Sequence, residues 1–214
     1  AVAKGAWIAL LDSDDTWLPT KLERQVRALA ASPGHRLCHT GERWIRRGRR
    51  VNPMKKHEKA GGDIFLRCLP RCVISPSSAL LSRELFDEVG FFDTSLPACE
   101  DYDLWLRICA REPVLFVDEP LVVKYGGHDD QLSRRYYGID RFRVAALEKL
   151  LTGSDATYLS AAQREAARVT LVEKLDIFIA GAEKRGEEAT ARAYAMRRER
   201  WRSSRVRARA GSRA

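Results

Sequence analysis

The most distinct hydrophobic pattern in the chain is a short apolar run near its start. Residues 7–11 read Trp-Ile-Ala-Leu-Leu, a run that is too short for a helix and lacks polar alternation. Such a run is typical of a strand that is buried on both faces of a parallel sheet. We therefore predict a buried parallel strand at this position.

Apolar residues at helical spacing predict the helices. The first helix begins at Thr16, buries Leu22, Val26 and Leu29, and ends at the Ser-Pro-Gly sequence of residues 32–34. Ser82 is a predicted N-cap and Gly90 ends the helix that follows it. Further helices are predicted over residues 64–69, 136–151, 160–183 and 186–205.

Short apolar runs between these helices predict strands. They lie at residues 36–40, within 73–81, and at 114–118 and 121–124, the last two separated by Glu119-Pro120. Residues 44–46 are predicted to pair with Val51 across an Arg-Gly-Arg turn. Strands mixed with helices indicate an α/β protein, and the last two helices predict a C-terminal helical hairpin.

Three carboxylates follow the first predicted strand at once. Asp12, Asp14 and Asp15 come where an open α/β sheet places its ligands, beyond the carboxyl end of a strand. Side chains two apart in extended chain share a face, so Asp12 and Asp14 can converge on one cation. Carboxylate oxygens suit Mg2+ or Mn2+. The simpler interpretation is an acidic turn that caps the next helix.

A second acidic pair, Glu100 and Asp101, opens another predicted helix. Unpaired backbone N–H groups and the helix dipole favour ionised carboxylates at such a position. An ionised carboxylate aimed into a cleft is a plausible general base, whereas the plain interpretation is again helix capping. Asp103 and Arg107, four residues apart on the same helix, are predicted to form a surface ion pair without chemistry.

Composition indicates a globular protein with a charged end. The chain has 214 residues, 45% of them hydrophobic and 31% charged. No apolar run approaches the roughly 18 residues that span a bilayer, so a cytoplasmic location is expected. The five cysteines form no Cys-x-x-Cys pair, which favours reduced thiols over a disulfide framework or a zinc site.

The net charge of +9 is unevenly distributed. Residues 192–214 hold nine arginines against one glutamate, which gives +8 and leaves about +1 for the rest. The arginines are interpreted first as a solvated helix end, then as a contact with an anionic membrane surface. Nucleic acid is the least favoured partner, because no aromatic interleaving accompanies them. Eight basic residues in 42–62 are interpreted either as a solvated loop or as a contact for an anionic acceptor or a diphosphate.

Two stretches resemble a known family. Asp-Ser-Asp-Asp at residues 12–15 is followed by Trp-Leu-Pro at 17–19 and Lys-Leu-Glu-Arg-Gln at 21–25. Gly-Phe-Phe-Asp at 90–93 precedes Glu-Asp-Tyr-Asp-Leu-Trp-Leu-Arg at 100–107. Both patterns are similar to those of the family 2 glycosyltransferases. The resemblance implies a GT-A-like mixed sheet flanked by helices, within the α/β class.

The resemblance also implies a reaction and the residues that take part in it. Asp12, Asp14 and Asp15 would hold Mg2+ or Mn2+ against the diphosphate of a nucleotide-sugar donor, with a further contact from His128. Asp101 would be the general base of an inverting transfer, and Glu100 would position a saccharide or lipid-linked acceptor. A role in cell-surface polysaccharide biosynthesis is expected.

The resemblance covers residues 1–135 and implies that the family's N-terminal strands, which bind the base and ribose, are missing. A fragment, or a product of a late start, is therefore expected. The predicted division is a catalytic portion over residues 1–152, a helical hairpin over 153–206 and a disordered basic tail over 207–214.

Two other functions stay open at this stage. Asp12 and Asp14 after a strand also fit the nucleophile motif of haloacid-dehalogenase-like phosphatases, with Thr40, Lys55 and the later acidic pair as partners. Nothing in that fold calls for the Trp-Leu-Pro or Asp-Leu-Trp patterns. The third possibility is an inactive, truncated relative that uses its helical hairpin as an interaction module.

Overall fold

The computed structural model describes residues 3–52, 57–127 and 136–210, with side chains described up to Ser203. The strands are β1 (Trp7–Ala9), β2 (Thr16–Trp17), β3 (Leu37–Arg46), β4 (Arg49–Val51), β5 (Leu80–Ser82) and β6 (Leu115–Gly126). The helices are α1 (Lys21–Ala31), α2 (Phe65–Cys68), α3 (Arg83–Val89), α4 (Glu100–Cys109), α5 (Asp140–Thr152), α6 (Ala161–Lys184) and α7 (Glu188–Ala210).

The six strands form one mixed sheet. Its order is β1-β5-β3-β6-β2, and β4 pairs with the far end of β3. Strands β3 and β6 are parallel, whereas the remaining pairs are antiparallel. Helices flank the sheet and a helical hairpin closes the chain, so the predicted α/β class with a mixed sheet is confirmed.

The first strand differs from its prediction. β1 lies at the edge of the described sheet and pairs only with β5, antiparallel, with Trp7 opposite Ser82. Trp7 is 39% exposed. The prediction of a parallel strand buried on both faces is therefore wrong, because an uninterrupted apolar run does not reveal whether both neighbours are present.

Helix α1 starts later than predicted and buries a different face. Residues 16–17 form β2 against β6, and the helix begins only at Lys21, after Pro19. Leu22 and Val26 are exposed, whereas Lys21 and Gln25 are fully buried. The Gln25 side-chain amide donates hydrogen bonds to two backbone carbonyls, those of Cys38 at 3.2 Å and Ser78 at 2.9 Å. These polar contacts, which hydrophobic spacing cannot register, set the inner face of the helix.

The predicted hairpin around residues 47–49 is confirmed, with Trp44 opposite Val51. Its first strand continues without interruption from Leu37, and β6 likewise runs through Pro120 instead of breaking there. The pairing shifts register at Gly41, which faces Pro120. A Cβ atom on Gly41 would lie 3.0 Å from the Glu119 carbonyl oxygen, so glycine suits the irregularity that accommodates the proline.

The C-terminal helices share the main hydrophobic core. Leu147 of α5 and Leu171 and Leu175 of α6 belong to the same buried cluster as Leu104 of α4. The predicted N-cap Ser160 forms a capping box with Gln163 at the start of α6. Helix α5 begins at Asp140, later than predicted, and α7 continues to Ala210, so the first four residues of the predicted disordered tail are helical.

Two arginines of the basic C-terminal region form ion pairs with neighbouring helices. Arg197 pairs with Glu148 of α5 at 2.6 Å, and Arg198 pairs with Asp176 of α6 at 2.8 Å. These two arginines therefore hold α7 against the neighbouring helices. Among the helices that the structure describes, none is both long and apolar enough to span a membrane.

Candidate active site

The acidic turn between β1 and β2 brings its three carboxylates together. One oxygen atom from each of Asp12, Asp14 and Asp15 can be chosen so that all three lie within 4.8 Å of one another. Asp14 is exposed, Asp12 is half-buried and Asp15 is buried. Burial raises the pKa of Asp12, and the negative charges of Asp15 and Asp14 add to this effect. Carboxylates crowded in this way gain from a cation between them.

Ser77 fixes the conformation of this turn. Its hydroxyl donates a 2.6 Å hydrogen bond to Asp15 Oδ2 and accepts one of 3.0 Å from the Asp12 backbone N–H. The Ser77 carbonyl accepts a further bond of 2.8 Å from the Trp17 indole N–H. Ser77 belongs to the 3-10 turn Pro76–Ser78, so the segment before β5 holds the acidic turn in place.

Lys124 of β6 reaches the same carboxylates. Its ammonium donates to Ser75 Oγ at 2.6 Å and lies 3.5 Å from Asp15 Oδ2 and 4.0 Å from Asp12 Oδ2. Burial opposes its charge, but the carboxylates of Glu42, Asp15 and Asp12 outweigh that effect and raise the pKa of Lys124. The turn therefore carries one built-in positive charge.

Glu42 is a buried carboxylate on the same side of the sheet. It accepts hydrogen bonds from the Trp44 indole N–H at 2.8 Å and from Lys59 Nζ at 3.0 Å. Burial favours its neutral form, but the ammonium groups of Lys59 and Lys124 and the indole bond together lower the pKa of Glu42. Glu42 is thus held ionised as part of the electrostatic framework.

Glu100 and Asp101 lie at the N-terminus of α4, as predicted. The preceding residue, Cys99, has a φ angle of 65°, a left-handed conformation that is uncommon for residues other than glycine. Asp101 Oδ1 accepts the Tyr102 backbone N–H at 2.6 Å, and Oδ2 lies 3.1 Å from the Cys72 thiol. Both oxygens of Asp101 are therefore oriented by the protein.

The rest of α4 is anchored below this end. Arg107 and Asp103 form the predicted pair at 2.9 Å, but their side chains are 4% and 2% exposed, so the prediction of a surface pair is wrong. Arg107 also donates to the Phe91 carbonyl at 2.9 Å and to the Val89 carbonyl. The pair is buried because it ties α4 to the end of α3 instead of facing solvent.

Asp12 and Asp14 of the first acidic cluster and Glu100 and Asp101 of the second line one cavity of about 570 Å³. Burial, followed by the negative charges of Asp101 and Asp12, raises the pKa of Glu100. Among the described residues, six carboxylates and three cationic side chains line the cavity: Asp12, Asp14, Glu42, Glu58, Glu100 and Asp101, with Lys59, Lys124 and Arg143.

Several of these residues were not singled out from the sequence as site residues. Lys124 appeared only as the end of an apolar strand, although the carboxyl end of a parallel strand is the usual place for a ligand contact. No sequence pattern indicated a role for Cys72 or Ser77, because their role depends on neighbours far away in the chain. Glu42 and Lys59 were seen only as members of a charged loop.

The chemistry of the acidic turn fits a hard divalent cation. Asp15 Oδ1 is buried and, within the described part of the chain, has no hydrogen-bond partner. A buried carboxylate oxygen without a donor is rare unless an ion or water completes it. The carboxylates of Asp12, Asp14 and Asp15 together offer an all-oxygen set of the kind that Mg2+ and Mn2+ use.

Other predicted site residues fall elsewhere. His128 lies outside the described residues, as does Lys55 of the phosphatase alternative. Thr40, the third residue of that alternative, is fully buried, and its hydroxyl bonds to the Gly41 carbonyl at 3.0 Å. Thr40 does not line the cavity. The structure therefore does not assemble the phosphatase arrangement among the residues that it describes.

The family model described as "Glycosyl transferase family 2" matches residues 1–90. The resemblance stated from the sequence is therefore confirmed for this part of the chain.

Curated relatives are also named glycosyltransferases. An uncharacterized glycosyltransferase of Rickettsia felis is 32% identical over 143 residues, which cover 62% of this chain and 23% of the relative. One of Methanocaldococcus jannaschii is 27% identical over 139 residues, or 62% of this chain and 47% of the relative. The chain thus spans less than half the length of these two relatives.

Among solved structures, the chain is similar to S. aureus TarS residues 1–349 in complex with UDP. The TM-score is 0.47 and the identity 13%, over 95% of this chain and 68% of that chain.

Proposed function

We propose that the chain is the catalytic part of a metal-dependent, inverting glycosyltransferase. It would move a sugar from a nucleoside-diphosphate donor to an acceptor hydroxyl. The observation that carries the proposal is that the carboxylates of Asp12 and Asp14 line the same cavity as those of Glu100 and Asp101. The match of residues 1–90 to the glycosyltransferase family supports the reaction class.

Asp101 is the proposed general base. It takes the proton of the acceptor hydroxyl while the electron pair of that oxygen forms a bond to the anomeric carbon. The bond from this carbon to the diphosphate breaks, and its electron pair leaves with the diphosphate. Attack from the face opposite the leaving group inverts the configuration. A positioned base of this kind supplies on the order of 100 to 10,000-fold in rate.

Glu100 is the proposed acceptor-positioning residue, because it lies beside Asp101 on the same cavity wall. Asp12, Asp14 and Asp15 are the proposed ligands of Mg2+ or Mn2+, and a cation bound there would supply charge neutralisation for the departing diphosphate. His128 remains a proposed additional ligand. Lys124 lies next to these carboxylates and adds a fixed positive charge to the same region.

The proposed acceptor is a saccharide or lipid-linked hydroxyl, as in cell-surface polysaccharide biosynthesis. The proposed contact with an anionic membrane would use the arginine-rich C-terminal end of the chain. Flotation of the full chain with phosphatidylglycerol vesicles at low and high salt tests it. Equal flotation with phosphatidylcholine vesicles would contradict the membrane contact and leave the transferase proposal intact.

The central experiment is a panel of nucleotide sugars with Mn2+, in which release of the nucleoside diphosphate is measured. We expect turnover with at least one donor, loss of at least 100-fold in Asp101→Asn, and little change in Asp87→Asn. Asp87 is an exposed aspartate on α3, outside the cavity, and is thus a matched control. Full activity of Asp101→Asn would refute the assignment of the base. A chain that binds neither Mn2+ nor any donor would favour the inactive interaction module.

A further inference from the structure

The Cys72 thiol has two acceptors and only one hydrogen. Its sulfur lies 3.1 Å from Asp101 Oδ2 and 3.0 Å from the Ile74 carbonyl oxygen. A thiol can donate its hydrogen to one oxygen at a time, and its sulfur can weakly accept a hydrogen bond. The group can therefore exist in two orientations beside the proposed base.

We propose that Cys72 is a positioning residue for Asp101 in both protonation states of the carboxyl group. This inference rests on the proposed function, in which Asp101 is the base. While Asp101 is ionised, the thiol S–H donates to Oδ2. When Asp101 takes up the acceptor proton, the thiol hydrogen turns to the Ile74 carbonyl and the sulfur accepts the new carboxyl O–H. The proton stays on Asp101 and no covalent bond to sulfur forms.

A thiol suits this position because it is a weak donor. A strong donor, such as an ammonium group, would hold the carboxylate but also stabilise its ionised form and weaken it as a base. The backbone N–H of Tyr102 already holds Oδ1 at 2.6 Å. Cys72 thus holds the second oxygen through a weaker hydrogen bond than an ammonium group would make.

The surroundings keep the thiol protonated. Burial raises the pKa of Cys72 well above its usual value, and the charge of Asp101 and the hydrogen bond to it raise it further. Lys59 acts in the opposite direction. The other titratable and charged groups that act on these two residues or on their neighbours Glu100 and Cys99 are Cys68, Asp12, Asp140 and Arg143.

The first test measures the contact without any substrate. Iodoacetamide labelling is followed cysteine by cysteine by mass spectrometry, in the full chain and in Asp101→Asn. Removing the negative charge should lower the pKa of Cys72 and raise its labelling rate by about tenfold per pKa unit lost. Cys99 should respond less, because its sulfur makes no described hydrogen bond to Asp101.

Two control measurements accompany this test. The buried thiols of Cys68 and Cys109 should stay unlabelled, which shows that Asp101→Asn remains folded. Asp87→Asn should leave the Cys72 rate unchanged. An unchanged Cys72 rate in Asp101→Asn would overturn the proposal, as would equal acceleration at all five cysteines.

The second test uses the pH profile of kcat/KM for donor turnover. Cys72→Ser, a stronger donor, should keep kcat within about threefold and move the acid limb to lower pH. Cys72→Ala should lower kcat by about tenfold with the donor KM unchanged. Equal losses in both variants, without a shift of the acid limb, would indicate a purely structural cysteine. If wild type shows no turnover while the labelling result holds, the proposed function fails and the thiol–carboxylate contact stands.

Discussion

The Ser77 hydroxyl joins Asp15 Oδ2, at 2.6 Å, to the Asp12 backbone N–H, at 3.0 Å. A single side chain thus orients both ends of the acidic turn. Mutation of a group that orients a metal ligand typically lowers metal affinity by about 10 to 100-fold. The turn alone would not hold its carboxylates in this arrangement.

Replacement of Ser77 should therefore weaken cation binding. We expect Ser77→Ala to bind Mn2+ about 10 to 100-fold more weakly by isothermal titration calorimetry, because Asp15 loses its donor. Ser78→Ala is the matched control, since the Ser78 hydroxyl bonds to the Ser75 carbonyl and touches no carboxylate of the turn. Equal weakening in both variants would show that the effect comes from general destabilisation of the segment.

Lys124 should compete with a cation for the same carboxylates. Removing its charge in Lys124→Met is expected to tighten the binding of Mn2+ alone by about tenfold, since one repulsive charge close to the site is lost. Lys149→Met is the control, because Lys149 pairs with Asp93 and Asp103 elsewhere. Weaker Mn2+ binding in Lys124→Met would instead show that this ammonium organises the turn.

His39 should make the protein sensitive to acid. It is fully buried, and burial followed by the charge of Lys59 lowers its pKa from 6.5 to about 4. Between pH 6.5 and 4 the unfolded chain therefore binds more protons at this position than the native state. Stability falls as the pH is lowered through this window, by on the order of 3 kcal/mol in total.

Urea denaturation at several pH values tests this prediction. His39→Gln should lose part of the dependence between pH 6.5 and 4, whereas His35→Gln, at a half-buried position, should keep it. The difference between the two variants isolates His39 from the carboxyl groups that also titrate in acid. Identical pH profiles of wild type and His39→Gln would contradict the assignment.

Arg107 should be important for stability. Arg107→Met leaves the buried Asp103 with Lys149 as its remaining cationic partner and frees the carbonyls of Val89 and Phe91, which is expected to cost about 3 kcal/mol. Arg27→Met, which breaks an exposed pair with Glu23 on α1, should cost less than about 1 kcal/mol. Guanidinium denaturation of both variants measures the difference, and similar losses would contradict the structural role of Arg107.

The local features of this chain were accessible from its sequence. The caps at Ser82 and Ser160, the hairpin around residue 48 and the two acidic clusters are set by residues within a few positions of one another. Turn and cap chemistry acts over that distance, so the pattern predicts the element. The family resemblance rests on the same local patterns.

The tertiary structure decided what the sequence left open. Ser77 reaches Asp15 over 62 residues and Cys72 reaches Asp101 over 29, contacts that depend on sheet register and on the placement of α4. The edge position of β1 and the polar inner face of α1 depend on neighbours in the same way. Hydrophobic spacing predicts that a residue is buried. The residue that it contacts is decided only when distant segments of the chain pack together.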